Sequence, residues 1–65
     1  MYISKMYRLV IINRRNERKE FYFDNYEELE YNYSLCVFSR NIKDFVGQKH
    51  IAFIYWKTIL KENEN

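Results

Sequence analysis

The residues of this sequence best suited to chemistry are its only histidine, His50, and its only cysteine, Cys36. Nucleophilic catalysis needs a serine or cysteine that a neighbouring base activates, and the serines are Ser4, Ser34 and Ser39. No spacing among these residues matches such a mechanism, and we expect His50 to lie at the end of a strand. One His and one Cys among scattered carboxylates also match no metal-ligand spacing. The sequence therefore predicts no catalytic residue, no metal site and no cofactor.

The densest carboxylate cluster is Glu27, Glu28 and Glu30, shortly after Asp24. Paired carboxylates can perform glycosidase chemistry, but acidic residues are also favoured in the first turn of a helix, where the helix dipole stabilises anions. The helix start explains the cluster completely. Because Gly47 is the only glycine, no glycine-rich phosphate loop is present. The sequence therefore indicates a protein that is not an enzyme.

The strongest local charge feature is a basic segment that contains Arg14, Arg15, Arg18 and Lys19. Nucleic-acid phosphates attract such a cluster. However, Glu17 interrupts it, and the net charge of +2 is low for a nucleic-acid-binding domain. We predict that these four cations contact an acidic patch on a protein partner. Nucleic acid is the second candidate partner.

Length and composition bound the class of protein. A chain of 65 residues predicts one small domain, residues 1–65, with a polar tail at 61–65 that we expect to fray. Aromatic residues make up 20% of the chain and partly offset the small core that this length allows. The longest apolar run, 51–56, is far shorter than the roughly 20 residues that cross a bilayer. With one cysteine and no signal-peptide pattern, we predict a cytoplasmic protein that does not contact membranes.

Alternating and β-branched segments predict four strands. Residues 6–13 and 21–23 flank a polar connector and are typical of a hairpin. Residues 42–46 predict a short strand, Gly47-Gln48 a turn, and residues 49–60 the last and longest strand, because Ile, Phe, Tyr, Trp and Thr favour extended structure.

The segment 24–40 has two interpretations. Asp24 and Glu27 fit a capping box, the apolar residues that follow have helical spacing, and Asn41 is a candidate for a left-handed residue that ends the helix. Residues 29–39 also alternate as a strand would. We favour the helix because the cap and the acidic first turn are independent signals. The predicted fold is α+β, a small antiparallel sheet with one helix in the order β-β-α-β-β; the alternative is an all-β meander.

This fold leaves one apolar surface to explain. Leu9 and Ile11 share one face of the first strand, while Val10 and Ile12 share the other, yet one helix covers only one face. Monomers rarely expose large apolar patches, so we predict a homo-oligomer. The predicted oligomer interface comprises Val10, Ile12, Tyr22, Ile54 and Trp56 on the sheet, with Tyr31, Leu35 and Phe38 on the far side of the helix.

The function that these observations favour is a non-enzymatic protein–protein interaction module. Roughly half of the residues are Asn, Lys, Ile, Tyr or Phe, whose codons are A/T-rich. This bias suggests an accessory protein of a phage or mobile element that inhibits or modulates a host protein, such as a defence nuclease or a polymerase. The alternative is a small nucleic-acid-binding regulatory protein that uses the basic hairpin Arg14–Lys19.

Overall fold

The computed structural model describes residues 6–51 and 55–61, which form one antiparallel sheet and one helix. The elements are β1 (Tyr7–Asn13), β2 (Arg18–Phe23), α1 (Tyr26–Val37), β3 (Ile42–Ile51) and β4 (Tyr55–Lys61). The strand order in the sheet is β2-β1-β3-β4. The predicted α+β fold in the order β-β-α-β-β is confirmed, and the strand alternative for residues 29–39 is wrong.

The predicted hairpin is formed by β1 and β2, in a register that pairs Leu9 with Phe21 and Val10 with Glu20. β2 is longer than predicted, because it begins at Arg18 rather than at Phe21. An edge strand needs only one apolar face and tolerates charged side chains. The polar residues at the start of β2 are therefore part of the sheet and not of the connector.

The helix begins one residue later than the predicted cap. Asn25 is the N-cap, and its Oδ1 accepts a hydrogen bond from the Glu28 N–H at 2.9 Å. Asp24, the predicted cap, does not have this role. Both residue types cap helices well, but Phe23 is still paired with Tyr7 in the sheet. The chain therefore turns at Asp24, and the helix starts after Asn25.

The helix also ends earlier than residue 40. Its C-cap is Phe38, whose N–H donates to Leu35 O at 3.3 Å, and the Ser39 N–H donates to Cys36 O at 3.1 Å. Asn41 does not have the predicted left-handed backbone, because Asn16 is the one non-glycine residue with positive φ in the described ranges. These two bonds, each spanning three residues, close the last turn of α1.

Gly47 lies within β3 and not in the predicted turn. A Cβ atom added at this position would lie 3.1 Å from Leu60 Cβ and 3.3 Å from Leu29 Cδ2. The glycine is therefore needed where helix and neighbouring strand approach the backbone closely. The predicted turn at Gly47-Gln48 and the single strand over 49–60 are wrong. Instead, β3 ends at Ile51 and pairs antiparallel with β4, which begins at Tyr55; residues 52–54 lie outside the described ranges.

The register between β3 and β4 shifts beside Gly47. Gly47 pairs with Leu60, but Gln48 pairs with Thr58, so Ile59 is an extra residue in β4. Such a bulge re-aims the side chains next to it. Both Ile59 and Leu60 consequently pack against the core.

The core lies between α1 and one face of the sheet. Leu29 is completely buried, and Leu9, Cys36 and Phe45 are buried around it. Tyr33 packs edge-on against Phe45 with ring centroids 4.8 Å apart. This small aromatic-rich core agrees with the prediction from composition. In the ranges described, no helix is long and apolar enough to cross a membrane.

Candidate functional site

The turn between β1 and β2 is fixed by Asn13. The Asn16 N–H donates to Asn13 O at 2.9 Å, and Asn16 has a φ of 66°; a left-handed residue after a type I turn is typical of three-residue hairpin connections. Asn13 Oδ1 also accepts from the backbone N–H groups of Arg15 and Glu17, both at 2.9 Å. These bonds hold Arg14 and Arg15 in an ordered, exposed turn.

A second loop lies beside this turn and adds further cations. The Arg14 N–H donates to Asn41 O at 3.0 Å, and Arg14 Nε donates to Arg40 O at 2.6 Å. Lys43 Nζ donates to Asn16 Oδ1 at 2.9 Å. We term this cluster the basic end, and it comprises Arg14, Arg15, Arg40 and Lys43. Two of its members, Arg14 and Arg15, line a shallow hollow of about 300 Å³ together with Asn13, Glu17 and Asn41.

The four cations predicted as a partner site do not form one cluster. Arg14 and Arg15 lie in the turn, whereas Arg18 and Lys19 are consecutive residues of β2 and their side chains alternate between opposite faces. Arg18 Nη2 also pairs with Glu20 Oε2 at 2.8 Å. Arg40 and Lys43 were not among the residues predicted from the sequence. Only the pairing of the start of β3 with the end of β1 brings them to the turn.

The predicted stripe on the far side of α1 is exposed. Tyr31 is 66% exposed, Leu35 52% and Phe38 84%. We term these three residues the helix stripe. Leu35 also borders an apolar hollow of about 240 Å³ between α1 and the sheet, with Phe21 of β2 on the opposite side. Because Phe38 precedes Arg40 by only two residues, the helix stripe leads directly to the basic end.

The helix-free face of the sheet carries a network around Arg8. The Arg8 Cζ lies 4.4 Å from the centroid of the Trp56 ring, a cation–π contact. Arg8 Nε donates to Gln48 Oε1 at 2.8 Å, and Arg8 Nη1 lies 3.4 Å from Glu20 Oε1. The guanidinium is therefore largely covered by side chains of the same chain. We term Arg8, Glu20, Gln48 and Trp56 the arginine network.

Glu20 is the carboxylate of this network. A hydrogen bond from the Tyr22 hydroxyl at 2.5 Å, with smaller contributions from Arg8 and Arg18, lowers the pKa of Glu20, although partial desolvation opposes this shift. Charged partners and a hydroxyl donor together stabilise the ionised form. Glu20 therefore acts as the acceptor that joins three side chains on this face.

The predicted sheet interface residues lie on the same face. Val10 is only 7% exposed, and Ile12 and Trp56 are half-buried, whereas Tyr22 is exposed; Ile54 lies outside the described residues. The centroids of the Tyr22 and Trp56 rings are 6.3 Å apart. Much of this face is thus covered by its own side chains, and its role in self-association stays a prediction.

The residues considered for catalysis are placed apart. Cys36 packs in the core on the helix side, and burial raises the pKa of its thiol, which makes it a poorer nucleophile. His50 lies on the helix-free side, with its ring centroid 4.7 Å from that of Trp56.

The serines bond locally or lie outside the described residues. The Ser34 hydroxyl donates to Tyr31 O at 2.6 Å. Ser39 Oγ accepts from Asn41 N–H at 3.3 Å, and Ser4 is outside the described residues.

In the described ranges, no group of three or more His, Cys, Asp or Glu side chains could hold a metal ion. Comparison with models of known families, with curated proteins and with solved structures finds no match to this chain.

Proposed function

We propose that this chain is a non-enzymatic protein-binding module that presents the basic end and the helix stripe to an acidic surface of a protein partner. The observation that carries the proposal is Phe38, which is 84% exposed at the end of the helix and lies two residues from the basic end. Exposed apolar side chains of this size usually mark an interaction surface when they are grouped. Tyr31 and Leu35 complete that group.

The chemistry of the surface fits a protein partner. Protein interfaces combine buried aromatic anchors with a polar rim, and Tyr and Arg are enriched among the residues that contribute most to binding. Here the helix stripe ends at Phe38, two residues before Arg40, whose carbonyl oxygen accepts a hydrogen bond from Arg14 Nε. Arg18 and Lys19, the other predicted contact residues, lie next to the turn on β2. In this proposal the apolar stripe provides affinity and the cations steer the encounter.

The proposed biological setting follows from composition. The A/T-rich codon bias supports an accessory protein of a phage or mobile element that acts in the host cytoplasm by occupying a surface of a host protein. Blocking a defence nuclease or a polymerase is an action that needs no catalytic group. A lone cysteine fits a reducing compartment.

Nucleic-acid regulation is the second candidate, since Arg40 and Lys43 enlarge the basic cluster beyond what the sequence suggested. Two observations favour protein instead. Glu17 lies within the hollow of the basic end, and the Trp56 ring is already in contact with Arg8. Proteins that bind single strands without sequence preference use aromatic faces that are open to bases.

The test uses the partner recovered from nuclease-treated host lysate and measures its binding kinetics. The double variant R14E/R15E should slow association more than it speeds dissociation, because rim charges act mainly on association. F38A should instead speed dissociation by roughly tenfold or more, as expected for a truncated anchor. The matched control is Tyr55→Ala, an exposed aromatic on β4, which should change neither rate.

Two results would contradict the proposal. One is unchanged kinetics in both R14E/R15E and F38A. The other is tight binding of random-sequence duplex or single-stranded DNA or RNA by the unmodified chain, with steep salt dependence and loss in R14E/R15E. That second result would establish the nucleic-acid alternative.

A further inference from the structure

The edge strand β2 has a row of backbone groups that no other strand among the described residues pairs. Asn13 N–H donates to Glu17 O at 3.1 Å, so residues 13 and 17 are a hydrogen-bonded pair. Such pairs alternate along an antiparallel ladder. Counting along the register, Phe21 and its odd-numbered neighbours direct their N–H and C=O groups toward β1. Arg18, Glu20 and Tyr22 direct theirs outward.

A second hydrogen bond supports this assignment independently. His50 N–H donates to Met6 O at 2.8 Å. The backbone N–H and C=O groups of the even-numbered residues of β1 therefore point toward β3, and those of its odd-numbered residues point toward β2. The outward groups of β2 are therefore available to another strand. Exposed edges of this kind favour pairing with a further chain unless lysines, proline or bulges prevent it.

Both edges carry cations, since β2 contains Arg18 and Lys19, but the opposite edge has the stronger protection because its pairing also contains a bulge. β4 carries Lys57 and Lys61 and contains the bulge at Ile59. Its pairing with a second β4 would also bring like charges together. β2 instead has cations at its start and, just after its end, Asp24. In an antiparallel pair of two β2 strands, these ends of opposite charge meet.

We propose that β2 pairs with β2 of a second copy, antiparallel and across a two-fold axis at Phe21, to join the two sheets into one of eight strands. This pairing goes beyond the proposed partner binding and does not depend on it. In this register Phe21 lies opposite Phe21 of the second copy as a non-hydrogen-bonded pair. The outward groups of Glu20 pair with those of Tyr22, and Arg18 lies opposite Asp24.

Charge selects this register over its neighbours. Only shifts of two residues keep the outward backbone groups facing each other. Sliding one β2 strand by two residues in one direction places Glu20 opposite Glu20 of the second copy. Sliding it by two residues in the other direction places Glu20 opposite Asp24 of the second copy. Like charges directly opposite are destabilising, whereas opposite charges and aromatic pairs are favourable. Of these three registers, the Phe21-centred one is the only one without a pair of opposed carboxylates.

The helix side of the sheet fits the same arrangement. Phe21 is exposed in the single chain and borders the apolar hollow beside Leu35, so a second Phe21 at the axis covers apolar surface. Lys19 lies opposite Phe23 of the second copy, close to the start of that copy's helix. Glu27 and Glu28 lie in that first turn, and their carboxylates attract the Lys19 ammonium group. A two-fold axis repeats each of these contacts.

The first test is a charge swap at the edge, measured by sedimentation equilibrium. The unmodified chain should reach twice its mass of 8.2 kDa. R18D and D24R should each weaken the dimer roughly tenfold or more, because each changes two symmetric pairs from attractive to repulsive. The double variant R18D/D24R should restore dimerisation. The matched control, Lys57→Glu on β4, should have no effect on the dimer.

The second test reads the register by oxidative cross-linking with copper phenanthroline. A non-hydrogen-bonded pair has Cα atoms about 4.5 Å apart, within the range for a disulfide. F21C should therefore cross-link to a dimer, whereas K19C, displaced from the axis, should not. Circular dichroism checks that each variant is folded.

Three results would overturn the inference. They are a mass of 8.2 kDa at every concentration reached, dimerisation that is insensitive to both single charge variants, and efficient cross-linking of K19C in place of F21C. If the chain is monomeric and the R18D variant no longer binds the partner protein, the β2 edge is a binding site for that partner and not for a second copy. If the chain does not dimerise but R14E/R15E still slows association with the partner protein, this inference fails and the proposed function stands.

Discussion

The two faces of the sheet are closed by different means. On the helix side, aliphatic and aromatic residues surround Leu29, which is completely buried. On the helix-free side, no element covers the sheet within the described ranges, and the arginine network lies across it. Val10 is nevertheless only 7% exposed on that side.

The difference shows how a short chain can shield a second face without a second layer. Arg and Trp each combine a large apolar body with a polar group, and they can lie flat on a sheet while their polar atoms remain hydrogen-bonded. Arg8 does this with Trp56 above its guanidinium and with Gln48 and Glu20 as acceptors. The apolar surface available for self-association on this face is therefore smaller than the sequence pattern suggests.

The largest expected effect is on the helix side. Leu29→Ala should lower the free energy of unfolding by about 3 kcal/mol, because truncating a fully buried leucine leaves a cavity. Leu35→Ala, on the exposed side of the same helix, should cost less than about 1 kcal/mol. Urea denaturation measures both values. Equal losses in the two variants would show that α1 does not pack as described.

An intermediate effect is expected on the helix-free side. Arg8→Met retains the side-chain stem but removes the guanidinium, and we expect a loss of about 1–2 kcal/mol from the cation–π contact and the charged hydrogen bonds. A double-mutant cycle with Trp56→Leu should give a coupling energy of roughly 0.5 kcal/mol or more. Arg15→Met in the exposed turn is the control, with an expected change within about 0.5 kcal/mol. Zero coupling between Arg8 and Trp56 would mean that this face is closed in another way.

The smallest effect concerns pH. The Tyr22 hydroxyl, followed by Arg8 and Arg18, lowers the pKa of Glu20 in the folded chain. A carboxyl with a lowered folded pKa stabilises the fold above its unfolded pKa, and this stability is lost as the pH falls through the folded value.

Measuring the free energy of unfolding as a function of pH tests this contribution of Glu20. The unmodified chain should lose stability below the ordinary Glu value of 4.5, and Glu20→Gln should flatten that part of the profile. An unchanged slope in Glu20→Gln would remove Glu20 from the network as a source of acid sensitivity.

Local patterns in the sequence were sufficient for the element order. The apolar, β-branched residues of β1 and the polar connector indicated the hairpin, and the acidic first turn indicated α1. The helix cap was placed one residue early, at Asp24, because two adjacent residues cap helices equally well. The proximity of Arg40 and Lys43 to the β1–β2 turn was not predictable, since both residues are distant from Arg14 in the chain.

Gly47 illustrates why the remaining features were not predictable. A lone glycine followed by a polar residue is typical of a turn, and local rules alone favour that reading. The reason for this glycine lies instead in Leu29 and Leu60, which approach its backbone from other elements. Such steric demands arise only after helix and strands have packed.

The sequence by itself determined the periodicities, the helix in place of a fifth strand and the apolar character of both faces of β1, because these depend on neighbouring residues. Tertiary structure alone decided what those faces contact. Arg8 meets Trp56, and Arg14 meets Arg40, through the strand order β2-β1-β3-β4. Contacts between distant residues depend on register and on a bulge, and both are set by how all the elements fit together.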